Sequence, residues 1–162
     1  MTNSAREFKT NLLHPFKFHL FLLMKLPMAW LAGLRITCLE NDKAIVSVPY
    51  KWLTTNPFKS IYFACLAMAG EMSTGLLVMM HIYKHHPTIS MLVVEIRGSF
   101  SKKANETIFF ECLDGEKIME AVERAKTTGA GIEINTLSIG RNKHHEEIGR
   151  FEVKWSLKCK SA

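Results

Sequence analysis

Hydrophobic and polar positions change period several times along the chain. The cleanest pattern lies near the end. There Phe151, Val153, Trp155, Leu157 and Cys159 alternate with Glu152, Lys154, Ser156, Lys158 and Lys160, the period of a strand with one buried face. Leu34–Leu39 and Ala44–Leu53 flank the turn residues Glu40-Asn41-Asp42 and predict a hairpin. Ala44, Val46, Val48, Tyr50 and Trp52 share one face of its second strand. Leu92, Val94, Ile96 and Phe100 alternate with Val93, Glu95, Arg97 and Ser99. Thr107–Leu113 predicts the strand paired to that one across Lys102–Glu106. Gly131–Ile139 is a strand whose pattern slips near Thr136, read as a bulge.

Helical spacing appears in three places. Glu116–Thr128 puts Ile118, Met119, Val122 and Ala125 on one stripe, and Gly129 and Gly131 stop it. The stretch from Phe16 to Leu34 is rich in Leu, Phe and Met, but Lys17, His19, Lys25 and Pro27 interrupt it. Its clean runs fall far short of the ~20 residues a membrane span needs, and it lacks the cleavage site of a signal peptide. It predicts an amphipathic helix that starts near Ser4 and breaks around Pro15 and Pro27. Such a helix packs on the domain or covers a pocket; attachment of residues 8–31 to a membrane surface is the lesser alternative and is not expected.

The third helix is the most informative segment. From Ser60 to Ile82 the one residue formally charged at neutral pH is Glu71, with Lys59 and Lys84 bracketing the run. The length suits a membrane span, but an acid at its centre costs about 2.5–3.5 kcal/mol, and the flanking strands are amphipathic. A helix apolar on all sides must then be wrapped by other elements. Gly70 and Gly75 cost helix stability, which points to close approach of a neighbouring backbone. An antiparallel sheet curled round this helix satisfies every pattern in the chain.

Composition narrows the function classes. The 162 residues form a single domain by length, with 21 basic against 15 acidic residues, a net charge of +6. The excess is spread out, with no continuous basic helix face, so a nucleic-acid partner is not expected. A positive rim still suits a substrate that carries phosphates. Cys38, Cys65, Cys112 and Cys159 form no metal-ligand spacing, and His85-His86 and His144-His145 are adjacent rather than a turn apart. No metal is expected, and a reduced, cytoplasmic protein is the simplest reading.

The stretch Asn56-Pro-Phe-Lys-Ser-Ile-Tyr-Phe-Ala-Cys-Leu-Ala-Met-Ala-Gly-Glu71 resembles the central-helix motif of hot-dog-fold acyl-CoA thioesterases. Ser99-Phe-Ser-Lys-Lys-Ala104 is similar to the aromatic-plus-basic segment of that superfamily. The short helix at Glu116–Thr128 looks like an uncharacterised, domain-of-unknown-function branch near the phenylacetyl-CoA thioesterase type. The resemblance implies an α+β hot-dog fold: an antiparallel sheet around a central helix at about 57–83, a core over 33–160 and a helical segment over 1–31. It implies an acyl-CoA or other acyl-thioester substrate, no resident cofactor since coenzyme A enters with the substrate, and a homodimer or dimer of dimers. The acyl group is expected to be aromatic or of medium to long chain.

The resemblance also assigns roles. Glu71 is the general base or nucleophile, against the alternative of a buried acid held across a dimer interface. Asn56 touches the substrate, or is only a cap or turn residue. The amides at Tyr62, Phe63 and Ala64 hold the thioester oxygen, as helix N-termini suit developing negative charge. Lys59 binds a carboxylate or phosphate, or is a surface lysine. Lys102 and Lys103 contact the coenzyme A phosphates, or are solvated turn residues. Lys59, Tyr62, Phe63 and Ala64 occupy positions where the family has glycines or a His-Gly-Gly turn. Their bulk favours the competing reading, a non-catalytic hot-dog protein that binds an acyl or lipid ligand or serves assembly.

Overall fold

The computed structural model describes residues 2–159. Three helices open the chain: α1 (Asn3–Leu13), α2 (Pro15–Lys25) and α3 (Pro27–Ala32). Thr2 caps α1, its hydroxyl accepting from the Ala5 amide at 3.1 Å. The expected breaks fall at the two prolines, each the first residue of its helix, where a missing N–H leaves nothing unsatisfied. Gly33 closes α3 in the left-handed conformation, φ 76°.

The β1 (Arg35–Leu39) and β2 (Ala44–Val48) strands form the expected hairpin, with Leu39 opposite Ala44. The second strand is shorter than its alternation implied. Pro49 follows Val48, and the chain turns into a short 3-10 helix, Trp52–Thr54, where the Thr54 hydroxyl donates to the Pro49 carbonyl at 2.8 Å. Tyr50 and Trp52 therefore leave the inward face; Trp52 is 86% exposed.

The central helix α4 (Phe63–Ile82) is followed by β3 (Ile89–Phe100), β4 (Ile108–Cys112), α5 (Gly115–Thr128), β5 (Ile132–Arg141) and β6 (Glu147–Cys159). The six strands make one antiparallel sheet in the order β1-β2-β4-β5-β6-β3, with α4 packed in its concavity. By length and composition α4 is apolar enough to cross a membrane, yet most of it is buried within the sheet. It begins at Phe63, six residues later than expected, because Asn56–Ser60 forms a loop of its own.

The pairing of β3 differs from the sequence expectation. It lies at the sheet edge against β6, while β4 sits between β2 and β5. Alternation reports which face of a strand is buried and not which strand lies beside it. A bulge between Val93 and Glu95 also reverses the phase of β3. Met91 and Val93 pair with the inward residues Leu157 and Trp155. Beyond the bulge it is Ile96, Gly98 and Phe100 that lie opposite Val153, Phe151 and Gly149.

In β5 no bulge occurs at Thr136; the register there is regular and slips only at Gly140/Arg141. Thr136 and Ser138 are buried and inward, and the apparent slip arises because these inward positions are small and polar. They admit the helix. Ser138 Oγ lies 2.7 Å from Ser73 Oγ of α4, and Ser73 donates to the Gly70 carbonyl at 2.8 Å. The glycines of α4 admit aromatic rings rather than the expected neighbouring backbone: a methyl built on Gly70 would fall 2.4 Å from the Phe151 ring, and one on Gly75 3.2 Å from the Trp155 ring. Helix α5 buries Ile118, Val122 and Ala125 as its spacing implied, but Met119 is 43% exposed.

Candidate active site

The N-terminus of α4 opens onto a cleft of about 540 Å³. One wall is the Asn56–Phe63 segment with Leu66, and the other is the connection that follows β3, Phe100 to Ala104. The two walls are tied by the Ile61 amide, which donates to the Ala104 carbonyl at 2.7 Å. Five of the residues singled out from the sequence line this cleft: Asn56, Tyr62, Phe63, Lys102 and Lys103. Phe58 and Phe100 line it too, which makes its walls aromatic. Phe58 carried no signal beyond its place in the motif, whereas Phe100 stood in the aromatic-plus-basic segment.

Asn56 shapes the loop. Its Oδ1 accepts from the Phe58 amide at 3.0 Å and from the Ser60 amide and hydroxyl at 3.2 Å each. That is the turn role of an asparagine rather than a helix cap, because α4 starts well beyond it. Lys59 sits at the loop tip with φ 56°, a conformation that favours glycine. It is exposed and does not line the cleft. A lysine here keeps the backbone shape for which glycine is the ordinary choice, at some cost in strain.

The three helix-start amides are not equivalent. The Tyr62 amide donates to the Thr54 carbonyl at 2.7 Å and is unavailable. Phe63 and Ala64 are the first two residues of α4, and their amides have no partner among the described residues. The rings of Tyr62 and Phe63 meet edge to face, centroids 4.9 Å apart, and are 48% and 56% exposed beside these donors.

Glu71 lies two turns further along. The sheet covers most of α4 but leaves Ala64, Ala67, Met68 and Glu71 half-buried. Their spacing is i, i+3, i+4, i+7, so they form one uncovered stripe that runs from a free amide to the carboxyl. Burial holds the Glu71 carboxyl above its ordinary range, and no cation pairs with it among the described residues. A hydrogen-bonded chain fixes the turn that carries it. Trp155 Nε1 donates to Thr74 Oγ1 at 3.0 Å, and Thr74 Oγ1 donates to the Glu71 carbonyl at 2.9 Å. Trp155 was legible as an inward residue of the last strand; its bond to Thr74 was not.

The two cleft lysines differ. Lys102 Nζ is 2.6 Å from Glu146 Oε1, and this contact holds the Glu146 carboxyl below its ordinary range. Lys103 has no carboxylate partner among the described residues.

Neither a protein-family model nor a curated protein matches the sequence. Solved structures do. A Pseudomonas aeruginosa protein of unknown function, described as a probable thioesterase, is similar with a TM-score of 0.76 and 20% identity, over 90% of this chain and 97% of that one. A putative thioesterase from Shewanella oneidensis has a TM-score of 0.72 at 6% identity, over 87% and 94% of the two chains. The E. coli PaaI protein from the phenylacetic acid degradation operon has a TM-score of 0.66 at 10% identity, over 99% and 98%. At such identities the likeness shows the fold: the chain has the hot-dog architecture that its helix motif implied.

Proposed function

We propose that the protein is an acyl-thioester hydrolase of the acyl-CoA type. The observation that carries this reading is the uncovered stripe of α4. It joins two unpartnered helix-start amides to a carboxyl that burial makes more basic than usual. In the reaction, water adds to the thioester carbonyl carbon and loses a proton to the Glu71 carboxylate. The Phe63 and Ala64 amides hold the developing oxyanion. The carbon–sulfur bond then breaks as the proton held by Glu71 passes to the leaving sulfur, releasing a carboxylic acid and the coenzyme A thiol. The aromatic walls of the cleft suit an aryl or medium-to-long acyl group, and Lys103 suits the phosphates of the carrier.

Geometry adds a condition. Ala64 and Glu71 are about 10 Å apart along the helix at 1.5 Å per residue. A base must come within about 3 Å of the water it activates. In this reading a second copy covers the half-buried stripe, and the carboxyl of one copy serves the amides of another. The exposed β3 edge is the place where two copies would pair their sheets.

A second reading rests on the Tyr62 and Phe63 rings beside the amides: the cleft binds an acyl carrier without hydrolysing it. A panel of acyl-CoA substrates with thiol detection separates the two. Glu71→Gln is expected to lower turnover by about 10²–10⁴-fold with little change in acyl-CoA binding. Binding without hydrolysis by the wild-type protein would establish the second reading instead. Neither binding nor hydrolysis across chain lengths and aryl groups would defeat both.

A further inference from the structure

Helix α2 has a second apolar face that the fold does not use. Phe18 and Leu22 pack inward, 5% and 1% exposed. On the opposite side Phe16 is 72% exposed, Leu20 43%, Leu23 47% and Met24 64%. Their spacing, i, i+4, i+7, i+8, makes one continuous stripe. The sequence led us to expect a packed helix; the structure packs one face and leaves the other in solvent. A helix apolar all round is ordinarily enclosed, and contiguous exposed apolar surface marks an interaction site.

The surface continues beyond α2. A cleft of about 310 Å³ brings His19 of α2 together with Trp30, Leu31, Arg35, Lys51 and Leu53. Trp52, between Lys51 and Leu53 in the chain, is 86% exposed. The charge around this surface has one sign. From residue 8 to residue 39 the sequence holds no Asp or Glu, while Lys9, Lys17, Lys25 and Arg35 fall within it. Lys9 is engaged by Glu40 at 2.6 Å; Lys25, Arg35 and Lys51 have no carboxylate partner among the described residues. Lys17 and His19 flank the stripe on its two sides by helical spacing.

We propose that the outer face of α2, with Trp30, Trp52 and Leu53, docks on an anionic phospholipid surface. An in-plane helix buries its apolar stripe at the headgroup boundary and keeps lysines at its flanks near the phosphates. Tryptophan favours that same boundary. Two copies of this face would bring like charges together, which argues against self-association through it, whereas an acidic bilayer surface complements it.

Flotation with phosphatidylcholine vesicles, with and without phosphatidylglycerol, tests the proposal on the full chain. Binding is expected to require the anionic lipid and to weaken in high salt. Lys17→Ala with Lys25→Ala should reduce it on the order of tenfold. Phe16→Glu with Leu23→Glu should abolish it while leaving the melting temperature unchanged, because both side chains are exposed. No flotation, flotation indifferent to lipid charge, or flotation that survives Phe16→Glu with Leu23→Glu would each overturn the proposal. So would sedimentation in which that variant splits an oligomer of the wild type, since the face would then be covered by a second copy.

Discussion

Replacing Gly70 by alanine sets two effects against each other. Gly70 lies inside α4, where alanine is favoured over glycine by about 1 kcal/mol. Against this, the new methyl would fall 2.4 Å from Phe151 Cδ2 and 3.0 Å from Cγ. Carbon atoms rest about 3.5–4.0 Å apart, so the ring or the helix must move by about 1 Å. The ring has nowhere to go. A methyl built on Gly98 would lie 2.6 Å from its other edge, and Phe100 and Phe110 sit with centroids 5.6 Å away. Overpacking costs about 1–3 kcal/mol, and a ring confined on opposite sides belongs at the upper end. The net destabilisation is about 2 kcal/mol, which in a domain of this size lowers Tm by roughly 4–8 °C. Thermal and urea denaturation measure it. Phe151→Leu frees space, so in a double-mutant cycle the two changes together should cost less than their sum by at least about 0.5 kcal/mol. A Gly70→Ala protein as stable as wild type, or strict additivity with Phe151→Leu, would refute the claim that the Gly70–Phe151–Gly98 contact sets the position of α4.

Glu71→Gln is expected to raise stability at neutral pH and to match wild type below about pH 4. Burial raises the folded carboxyl above its unfolded value, so this group's contribution is complete at low pH and is lost as pH rises through the folded pKa. Melting curves across pH check the sign, and a wild-type advantage at neutral pH would contradict it. Lys103→Ala should weaken acyl-CoA binding several-fold at low salt. Removing both members of the Lys102–Glu146 pair, with net charge unchanged, should alter binding by about twofold at most; equal losses from the two changes would argue against Lys103 as the phosphate contact.

Much of the fold could be read from the chain because local chemistry and global shape agree. The prolines at 15 and 27 start helices, Glu40–Asp42 turns a hairpin, and β6 alternates without a fault from Phe151 to Cys159. The failures share a cause: each depends on contacts that sequence spacing does not encode. The edge position of β3 is set by β6, not by the neighbouring β4. Its bulge at Val94 changes which residues face α4 without changing the alternation that marks it as a strand. Thr136 and Ser138 read as a fault in β5 because polarity masked their inward direction: the Thr136 hydroxyl donates to the Val153 carbonyl, and Ser138 meets Ser73 of α4. At the site, the motif placed Asn56, Tyr62 and Phe63 in one segment, and the fold brings Lys102 and Lys103 to face it. It did not reveal that Glu146, far along the chain, engages Lys102, or that Thr54 takes the Tyr62 amide.

Three features of the single chain are incomplete. The β3 edge is twelve residues long and carries exposed apolar side chains, Leu92 at 67% and Val94 at 48% among them. The stripe of α4 that holds Glu71 is only half-buried, whereas most of the helix is enclosed. The free amides at the start of that helix and its carboxyl have no partner among the described residues. An unpaired edge favours strand addition, and a carboxyl whose pKa burial has already raised would gain further from exclusion of water. One event, pairing of β3 with β3 of a second copy, would address the first directly, and in the proposed reading it would also bring a second α4 to the other two. In that arrangement hydrolysis depends on association, so activity per chain should fall on dilution through the dissociation range, and a monomer that retains full turnover would separate the catalytic reading from the dimer it calls for.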